Sequence, residues 1–206
     1  MSRRAPAWNP YPAYFEAFAK LLARIDKSLK GYSGPAIPVY VAGGAALHLY
    51  TGARFSDDID ASIEARIAIP ADLSVAYKGP DGRPRTLYFD TQYNESFALL
   101  HDDVHRDSIP IEVPGVDPSR LDVRLFSPVD LAVSKLARFE QHDREDIRVL
   151  ADAGLIDANG LRRRAEEALP NYVGDVQRLK TSIKLACQMI AAPRGARDGS
   201  PKKRRR

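Results

Sequence analysis

The stretch that decides the fold is GGAALHLYTGARFSDDIDA, residues 43–61. It follows the apolar run VYVA, which predicts a short strand, and its own segment AALHLYTG predicts a helix that ends at Gly52. Apolar residues then occupy every odd position from Ile59 to Ile69. That alternation predicts a long strand with one buried face. The expected order is therefore a strand, a glycine turn, a short helix and a second strand.

The acids that open the second strand need an explanation, because neighbouring like charges repel. Alternate residues of a strand share a face, so Ser56, Asp58 and Asp60 point to one side, while Asp57 and Ile59 point to the other. Two carboxylates about 6.6 Å apart on one face can share hard cations such as Mg²⁺, which prefers oxygen ligands. A cation there would remove the repulsion.

The glycine pair supplies a complementary feature. A turn formed by Gly43 and Gly44 lets backbone N–H groups approach a ligand closely, and with the helix N-terminus it favours phosphate. Ser56 can add a hydroxyl. The combination indicates a metal-assisted phosphoryl-transfer site, and the plainer alternative is a solvated acidic strand end after a structural glycine turn.

The rest of the chain predicts a sheet followed by helices. PAYFEAFAKLLARIDKSLKG has helical spacing, LSVAY and RTLYFDTQYN flank a Pro-Asp-Gly turn and predict a hairpin, and SFALLH and LDVRLF predict further strands. SPVDLAVSKLARFEQ and three later segments predict helices. The expected fold class is α/β (α+β), a mixed β-sheet core with flanking helices and a C-terminal helical region. The expected domains are a sheet-containing domain (1–126), a helical domain (127–192) and a disordered basic tail (193–206).

Composition excludes several classes of protein. The apolar runs are too short to cross a bilayer, and no apolar segment follows the N-terminal arginines as in a secretory signal, so a cytoplasmic protein is expected. Cys187 is the only cysteine, which leaves no intrachain disulfide and predicts a core residue. The net charge of +4 comes from residues 193–206, which carry +6 and leave −2 for the rest. This tail either holds nucleic acid through counterion release or is merely solubilising.

Two segments resemble a known family. VAGGAALHLYTGARFSDDIDA resembles the signature of the nucleotidyltransferase superfamily of the DNA polymerase beta type, a glycine pair followed by D-x-D. With SPVDLAVSKLARFEQHDREDIRVL, it is similar to AbiEii-type toxins and DUF6036 nucleotidyltransferases over roughly residues 35–155. The resemblance implies a nucleotidyltransferase that moves a nucleoside monophosphate from an NTP to an acceptor hydroxyl with Mg²⁺ or Mn²⁺ and releases pyrophosphate. It further implies a toxin–antitoxin context, with a tRNA 3′ end or a protein side chain as acceptor and a cognate antitoxin as partner.

The resemblance also implies roles for individual residues. Gly43, Gly44 and Ser56 would bind the triphosphate, and Asp58 and Asp60 would bind the metal ions. The superfamily has a third carboxylate on a neighbouring strand. Asp90 is the best candidate because the hairpin places it in the same sheet, and Asp102 and Glu112 are alternatives. A chain lacking this third acid would be a weakened enzyme, and a nucleotide- or nucleic-acid-binding module or an antitoxin-like adaptor remains the rival function.

A basic stripe is expected in the later helix. Lys135, Arg138 and His142 have i, i+3, i+7 spacing and are followed by Asp143 and Asp146. The resemblance implies that Lys135 and either Asp146 or Asp143 line the nucleotide pocket. The residues by themselves also fit a network of ion pairs between helices.

Other polar and aromatic residues receive plainer interpretations. His48 is expected to be packed or capping, and a metal site of His101, Asp102 and His105 is disfavoured because no third neutral ligand is in sight. Sheet core, rather than a base-stacking platform, is expected for four aromatic residues: Tyr88, Phe89, Tyr93 and Phe97.

Overall fold

A computed structural model describes residues 8–67, 69–95 and 98–192. The predictions for the basic tail and for Phe97 therefore lie outside the described residues. The helices are α1 (Pro12–Ser28), α2 (Gly43–Thr51), α3 (Pro128–Ser134), α4 (Gln141–Asp152), α5 (Ala158–Ala168) and α6 (Val176–Ala191), with a 3₁₀ turn at Leu169–Asn171. The strands are β1 (Ile37–Val41), β2 (Asp58–Ile63), β3 (Ser74–Lys78), β4 (Pro84–Asp90), β5 (Ile109–Pro110) and β6 (Leu121–Leu125).

The strands form one mixed sheet in the order β3-β4-β2-β1-β6-β5. β1 is parallel to β6 and β2 is parallel to β4, while the other neighbours are antiparallel. α1 packs against β3 and β4, and α2 packs against β2 and α4. This arrangement confirms the expected mixed sheet with flanking helices, and it places β2 near the middle of the sheet.

The predicted short helix is confirmed, but it begins at Gly43, so the glycine pair forms its first turn. α2 ends where Gly52 takes a left-handed conformation, with φ of 68°. The predicted hairpin is also confirmed, because β3 and β4 pair antiparallel. Cys187 lies in α6 and is buried, as expected for a core residue.

β2 is shorter than the alternation predicts. The strand ends at Ile63 instead of continuing to Ile69. Its last hydrogen bond to β1 runs from the Glu64 N–H to the Pro38 carbonyl at 3.2 Å, and Pro38 has no N–H to return. Ile69 still packs against the core, but through a loop.

One predicted strand is absent from the described residues. Residues 98–101, the described part of SFALLH, form no strand, although Leu99 is buried. A short apolar run can bury its side chains from a loop as well as from a strand, and periodicity alone does not separate the two. LDVRLF does form a strand, β6.

The helix predicted over SPVDLAVSKLARFEQ is interrupted. α3 ends at Ser134, Phe139 has a φ of 51°, and α4 begins behind a capping box of Glu140 and Asp143. Lys135, Arg138 and His142 therefore do not form one helical stripe, and that prediction is wrong. The break separates Lys135 from the first turn of α4.

Helices α3 to α6 pack on one another, with contacts of α5 to both α3 and α6 and of α4 to α6. In the part of the chain that the structure describes, no helix combines the length and the apolar character needed to cross a membrane.

Candidate active site

Three carboxylates lie side by side on the outer face of the sheet. The parallel register of β2 and β4 puts Asp60 directly opposite Asp90, and Asp58 opposite Tyr88. Adjacent strands are about 4.8 Å apart, so Asp60 and Asp90 are immediate neighbours. Ile59, between the two acids of β2, is fully buried on the inner face. The sheet thus brings together the three acids that the sequence singles out.

The glycine pair packs directly against these acids. Gly43 has a φ of 59°, and a Cβ built on it would collide with Asp60 Oδ2. A Cβ on Gly44 would lie 2.8 Å from Ser56 Oγ. Both positions therefore require glycine for close approach, and Gly43 also requires it for backbone conformation. The turn, Ser56 and Asp60 form one continuous surface at the N-terminus of α2.

The charge on Asp60 is poorly compensated. Burial raises the pKa of its carboxyl, and the neighbouring charges of Asp90 and Asp58 raise it further. Lys135 and the Gly44 N–H act in the opposite direction but do not overcome these effects. The site therefore holds negative charge that the chain itself does not neutralise.

The donor set suits a hard cation. Carboxylate oxygens are the ligands that Mg²⁺ prefers, and a cation between them would remove the repulsion that raises the pKa of Asp60. Asp90 Oδ1 accepts a 2.8 Å hydrogen bond from the Gln92 N–H, which orients that side chain. In the ranges 8–67, 69–95 and 98–192, no three His, Cys, Asp or Glu side chains already converge as a metal-binding group. The metal role of the three acids stays a prediction.

A cationic group lies on the other side of the glycine turn. Lys135 is buried and donates a 2.7 Å hydrogen bond from Nζ to Asp146 Oδ2. Arg54 Nη2 donates to the same oxygen at 3.1 Å, and it lies 2.9 Å from the Cβ position of Gly44. Two cations share one carboxylate, so the group carries a net positive charge beside the glycine turn.

Sequence reasoning missed Arg54. Its Nε is buried and has no hydrogen-bond partner among the described residues. A signal was present: Arg54, Ser56, Asp58 and Asp60 are spaced two residues apart in the sequence, and Arg54 and Ser56 both lie against the Cβ position of Gly44. Continuing the series of Ser56, Asp58 and Asp60 by one more position towards the N-terminus would have included Arg54.

A buried aromatic cluster holds this loop in place. Phe55 lies against the rings of His48 at 4.5 Å and Tyr14 at 6.0 Å. Tyr11 N–H donates to His48 Nε2 at 3.0 Å, so Nδ1 carries the proton and donates to the Arg54 carbonyl at 2.9 Å. Burial lowers the pKa of His48, which keeps the ring neutral. His48 is packed, as expected, and it positions the backbone of Arg54.

The two candidate acids of α4 have different partners. Asp146 accepts a hydrogen bond from Lys135, whereas Asp143 accepts two hydrogen bonds from Arg138, at 2.9 and 2.8 Å. Burial disfavours ionisation of Asp143, but the Arg138 guanidinium and the Glu140 N–H outweigh it and hold the pKa of Asp143 below its usual range. Geometry therefore associates Asp146, and not Asp143, with the glycine turn.

The other acidic and histidine candidates lie elsewhere. Asp102 accepts a hydrogen bond from Asn171 in the 3₁₀ turn, and Glu112 lies in the loop after β5. His101 faces Glu167 at 3.6 Å, while His105 lies 3.1 Å from Glu64. None of these side chains joins the carboxylates of β2 and β4.

The aromatic residues of β4 divide between the two faces of the sheet. Phe89 is buried, as expected, whereas Tyr88 is 48% exposed. The expectation that Tyr88 is core is therefore wrong, because position 88 falls on the outer face with Asp58. Tyr93 is partly buried and packs against the core.

One family model matches the chain. Its description is "Nucleotidyltransferase of unknown function (DUF6036)", and the match covers residues 16–185. The matched region contains the glycine turn, the three carboxylates of the sheet and the Lys135–Asp146 pair. Neither the curated proteins nor the solved structures gave a match.

Proposed function

The chain belongs to the DUF6036 family of nucleotidyltransferases, and on that premise we propose that it transfers a nucleoside monophosphate from an NTP to an acceptor hydroxyl with release of pyrophosphate. The observation that carries this proposal is the juxtaposition of Asp60 with Asp90 on one side and with the Gly43 turn on the other. Nucleotidyl transfer needs carboxylates that can hold metal ions directly beside groups that bind phosphate.

The cationic side of the site fits the triphosphate. The Gly43 N–H and the Ser56 hydroxyl can donate to phosphate oxygens, Gly44 lets the nucleotide approach closely while its own N–H bonds to Asp60, and the N-terminus of α2 favours negative charge. The net positive charge of Lys135, Arg54 and Asp146 lies beside them. These groups would hold the β- and γ-phosphates and stabilise the leaving pyrophosphate.

The acidic side fits the reacting centre. Asp58, Asp60 and Asp90 would hold Mg²⁺ or Mn²⁺, which, when bound, neutralises charge on the phosphate oxygens. Asp90 would accept the proton of the acceptor hydroxyl, whose oxygen forms a bond to the α-phosphorus as the bond to pyrophosphate breaks.

The acceptor in this proposal is a tRNA 3′ end, with a protein side chain as the alternative. The basic residues of 193–206 support RNA, because clustered Lys and Arg bind phosphate backbones through counterion release. A toxin role with a cognate antitoxin, acting in the cytoplasm, is supported by the resemblance of the glycine and aspartate motifs to AbiEii-type toxins.

A labelling experiment tests the proposal. Purified protein is incubated with each α-labelled NTP, Mg²⁺ and total tRNA, and we expect label in RNA or in protein. Asp58→Ala should abolish labelling, because it removes a carboxylate from the outer face. Asp57→Ala is the matched control, since Asp57 carries the same charge, is exposed and directly precedes β2 in the chain.

The outcomes separate the candidate functions. Labelling lost with Asp58→Ala and kept with Asp57→Ala supports the enzyme. Equal labelling by wild type and Asp58→Ala contradicts the assignment of this site. If no NTP yields label but nucleotide or RNA still binds, the chain is a binding module with the same fold. Omission of Mg²⁺, with Mn²⁺ added back, tests the metal requirement.

A further inference from the structure

Tyr88 is a large aromatic residue that stays half exposed on the outer face of the sheet. Its neighbours in β4, Leu87 and Phe89, are buried, whereas 48% of Tyr88 is exposed. It is paired in register with Asp58, one of the three carboxylates. A large ring beside the reacting groups contributes less to the stability of the fold than a buried one, because about half of its surface stays in water.

The surroundings of Tyr88 leave its ring open. On the same face, the neighbouring positions towards β3 and away from the carboxylates are the small residues Ser74, Ala76 and Thr86. Lys78, also exposed, ends this face of β3. The outer face here therefore offers a flat aromatic surface, small neighbours that do not cover it, and a cation at its edge.

Tyr88 lies on the acceptor side of the carboxylates. The glycine turn leads out of β1, on one side of β2, whereas Tyr88 belongs to β4, on the other side. In a phosphoryl transfer the attacking and leaving oxygens are roughly in line across the phosphorus. If pyrophosphate leaves towards Gly43 and Gly44, the acceptor enters from the side of Asp90 and Tyr88.

We propose that Tyr88 is the stacking platform for the unpaired terminal base of an RNA acceptor. This role rests on the proposed nucleotidyl transfer and adds the substrate class and its binding residue. Aromatic rings bind single-stranded bases because every base has a π-face. Stacking would cover the exposed ring, and Lys78 would contact the phosphate that precedes the terminal nucleotide.

The charges of the face favour a chain end over a protein or a duplex. Asp58 and Asp90 flank Tyr88 and would repel a phosphate backbone that crossed the face. A terminal nucleotide brings one base and one hydroxyl to this point, with its phosphates directed towards the strand edge. A Ser, Thr or Tyr acceptor on a protein would not need an open aromatic surface beside the acids.

Acceptor kinetics test the platform. With a short single-stranded RNA, Tyr88→Ala should raise the KM for RNA by roughly 5- to 150-fold, the range measured for loss of one base stack, and leave the KM for NTP unchanged. Tyr88→Phe should retain wild-type values, because stacking needs the ring and not the hydroxyl. Tyr32→Ala is the matched control, as Tyr32 is 39% exposed and lies between α1 and β1.

An RNA that lacks its terminal base tests whether the base itself contacts Tyr88. An RNA whose 3′-terminal residue is abasic should bind weakly to wild type, and Tyr88→Ala should then cause no further loss. Additive losses from the abasic residue and from Tyr88→Ala would overturn the proposal, because the ring and the base would be acting independently. Equal RNA KM values for wild type and Tyr88→Ala would overturn it as well.

A binding readout separates this role from the transfer reaction. RNA with 2-aminopurine at its 3′ end should lose fluorescence on binding to wild type and to Asp58→Ala, but not to Tyr88→Ala. This pattern without any transfer of label would contradict the proposed enzyme while supporting the platform. Transfer to a protein with no quenching of the RNA probe would overturn the platform while leaving the enzyme intact.

Discussion

Acids on the open face of the sheet and acids among the C-terminal helices differ in what lies next to them. Asp60 is half-buried and faces Asp90 and Asp58, which raise its pKa on top of the effect of burial. Two buried acids among the helices, away from the glycine turn, each contact a cation within 3.0 Å: Asp130 with Arg164, and Asp143 with Arg138. The same residue type thus has two electrostatic environments in one chain.

This difference separates stability from function in physical terms. A buried carboxylate with a hydrogen-bonded cation is strongly destabilising only when its partner is removed. A carboxylate beside other carboxylates weakens the fold as it stands, and chains keep such arrangements where a ligand supplies the missing charge. We therefore expect changes at the two kinds of acid to have opposite effects on stability and activity.

Asp60→Asn should produce the largest effect, on activity. Transfer should fall by roughly a thousandfold, because one charged ligand of the reacting centre is lost, and a charge effect of several kcal/mol corresponds to this factor. The free energy of unfolding without Mg²⁺ should stay equal or rise by about 0.5–2 kcal/mol, since neutralisation relieves burial and repulsion. Single-turnover transfer and urea unfolding measure the two quantities.

The effect of Mg²⁺ on the melting temperature is a second test of the Asp60→Asn variant. The cation should raise the melting temperature of wild type, because a ligand that binds only the folded state stabilises it, and it should do so less for the variant. A variant that is both inactive and strongly destabilised without Mg²⁺ would show that Asp60 is a structural acid, like those of the helices.

Asp130→Ala should produce the second largest effect, on stability. Arg164 donates two hydrogen bonds to Asp130 at 2.7 and 2.9 Å, and Asp130 is 1% exposed. Truncation should lower the free energy of unfolding by about 3 kcal/mol, the lower end for a broken buried pair, because Asp107 still faces Arg164 at 3.0 Å. Urea unfolding measures the loss.

The control for Asp130→Ala is an exposed pair. Glu16→Ala breaks the Lys20–Glu16 pair on α1, whose side chains are mostly in water, and its cost in unfolding free energy should be far smaller than that of Asp130→Ala, because water screens exposed ion pairs. The folded fraction of Asp130→Ala should retain the wild-type rate of transfer per molecule. A thousandfold lower rate of transfer in that fraction would mean that Asp130 is also needed for activity, which would contradict the contrast between the acids of the sheet and those of the helices.

Local patterns predicted much of the fold and the faces of the site. Alternation correctly places Ile59 inside and Asp58 with Asp60 outside, because side chains of a strand alternate regardless of tertiary context. The close approach at the glycine pair was also predictable from the sequence, since such an approach and a φ of 59° at Gly43 both require the absence of a Cβ.

Features that depend on tertiary contacts could not be predicted from local sequence patterns. The choice among Asp90, Asp102 and Glu112 depends on the register of β4 against β2, which no local pattern encodes. The helix break after Lys135 depends on Phe139 at a φ of 51°, a conformation that bulky residues rarely take. The exposure of Tyr88 depends on which face of β4 the helices cover. The roles of these site residues stay predictions.

The smallest effect concerns pH dependence at Asp143. Because Arg138 and the Glu140 N–H hold its pKa low against the effect of burial, the ionised form favours folding. This stability is fully present above the pKa of an unfolded Asp, about 3.9, and is lost as pH falls through the lower folded value. Asp143→Asn should therefore cost about 1 kcal/mol at pH 7, a modest value because Arg138 is largely exposed.

The difference in unfolding free energy between wild type and Asp143→Asn should shrink steadily as the pH falls below about 4. Urea titrations of both proteins from pH 7 to pH 3 measure it, and Glu112→Gln, at an exposed position in the loop after β5, is the control for the same change of net charge. A cost that stays constant over that range would mean that hydrogen-bond geometry, and not charge, joins Asp143 to Arg138. The acids of the helices and those of the sheet would then differ in packing alone.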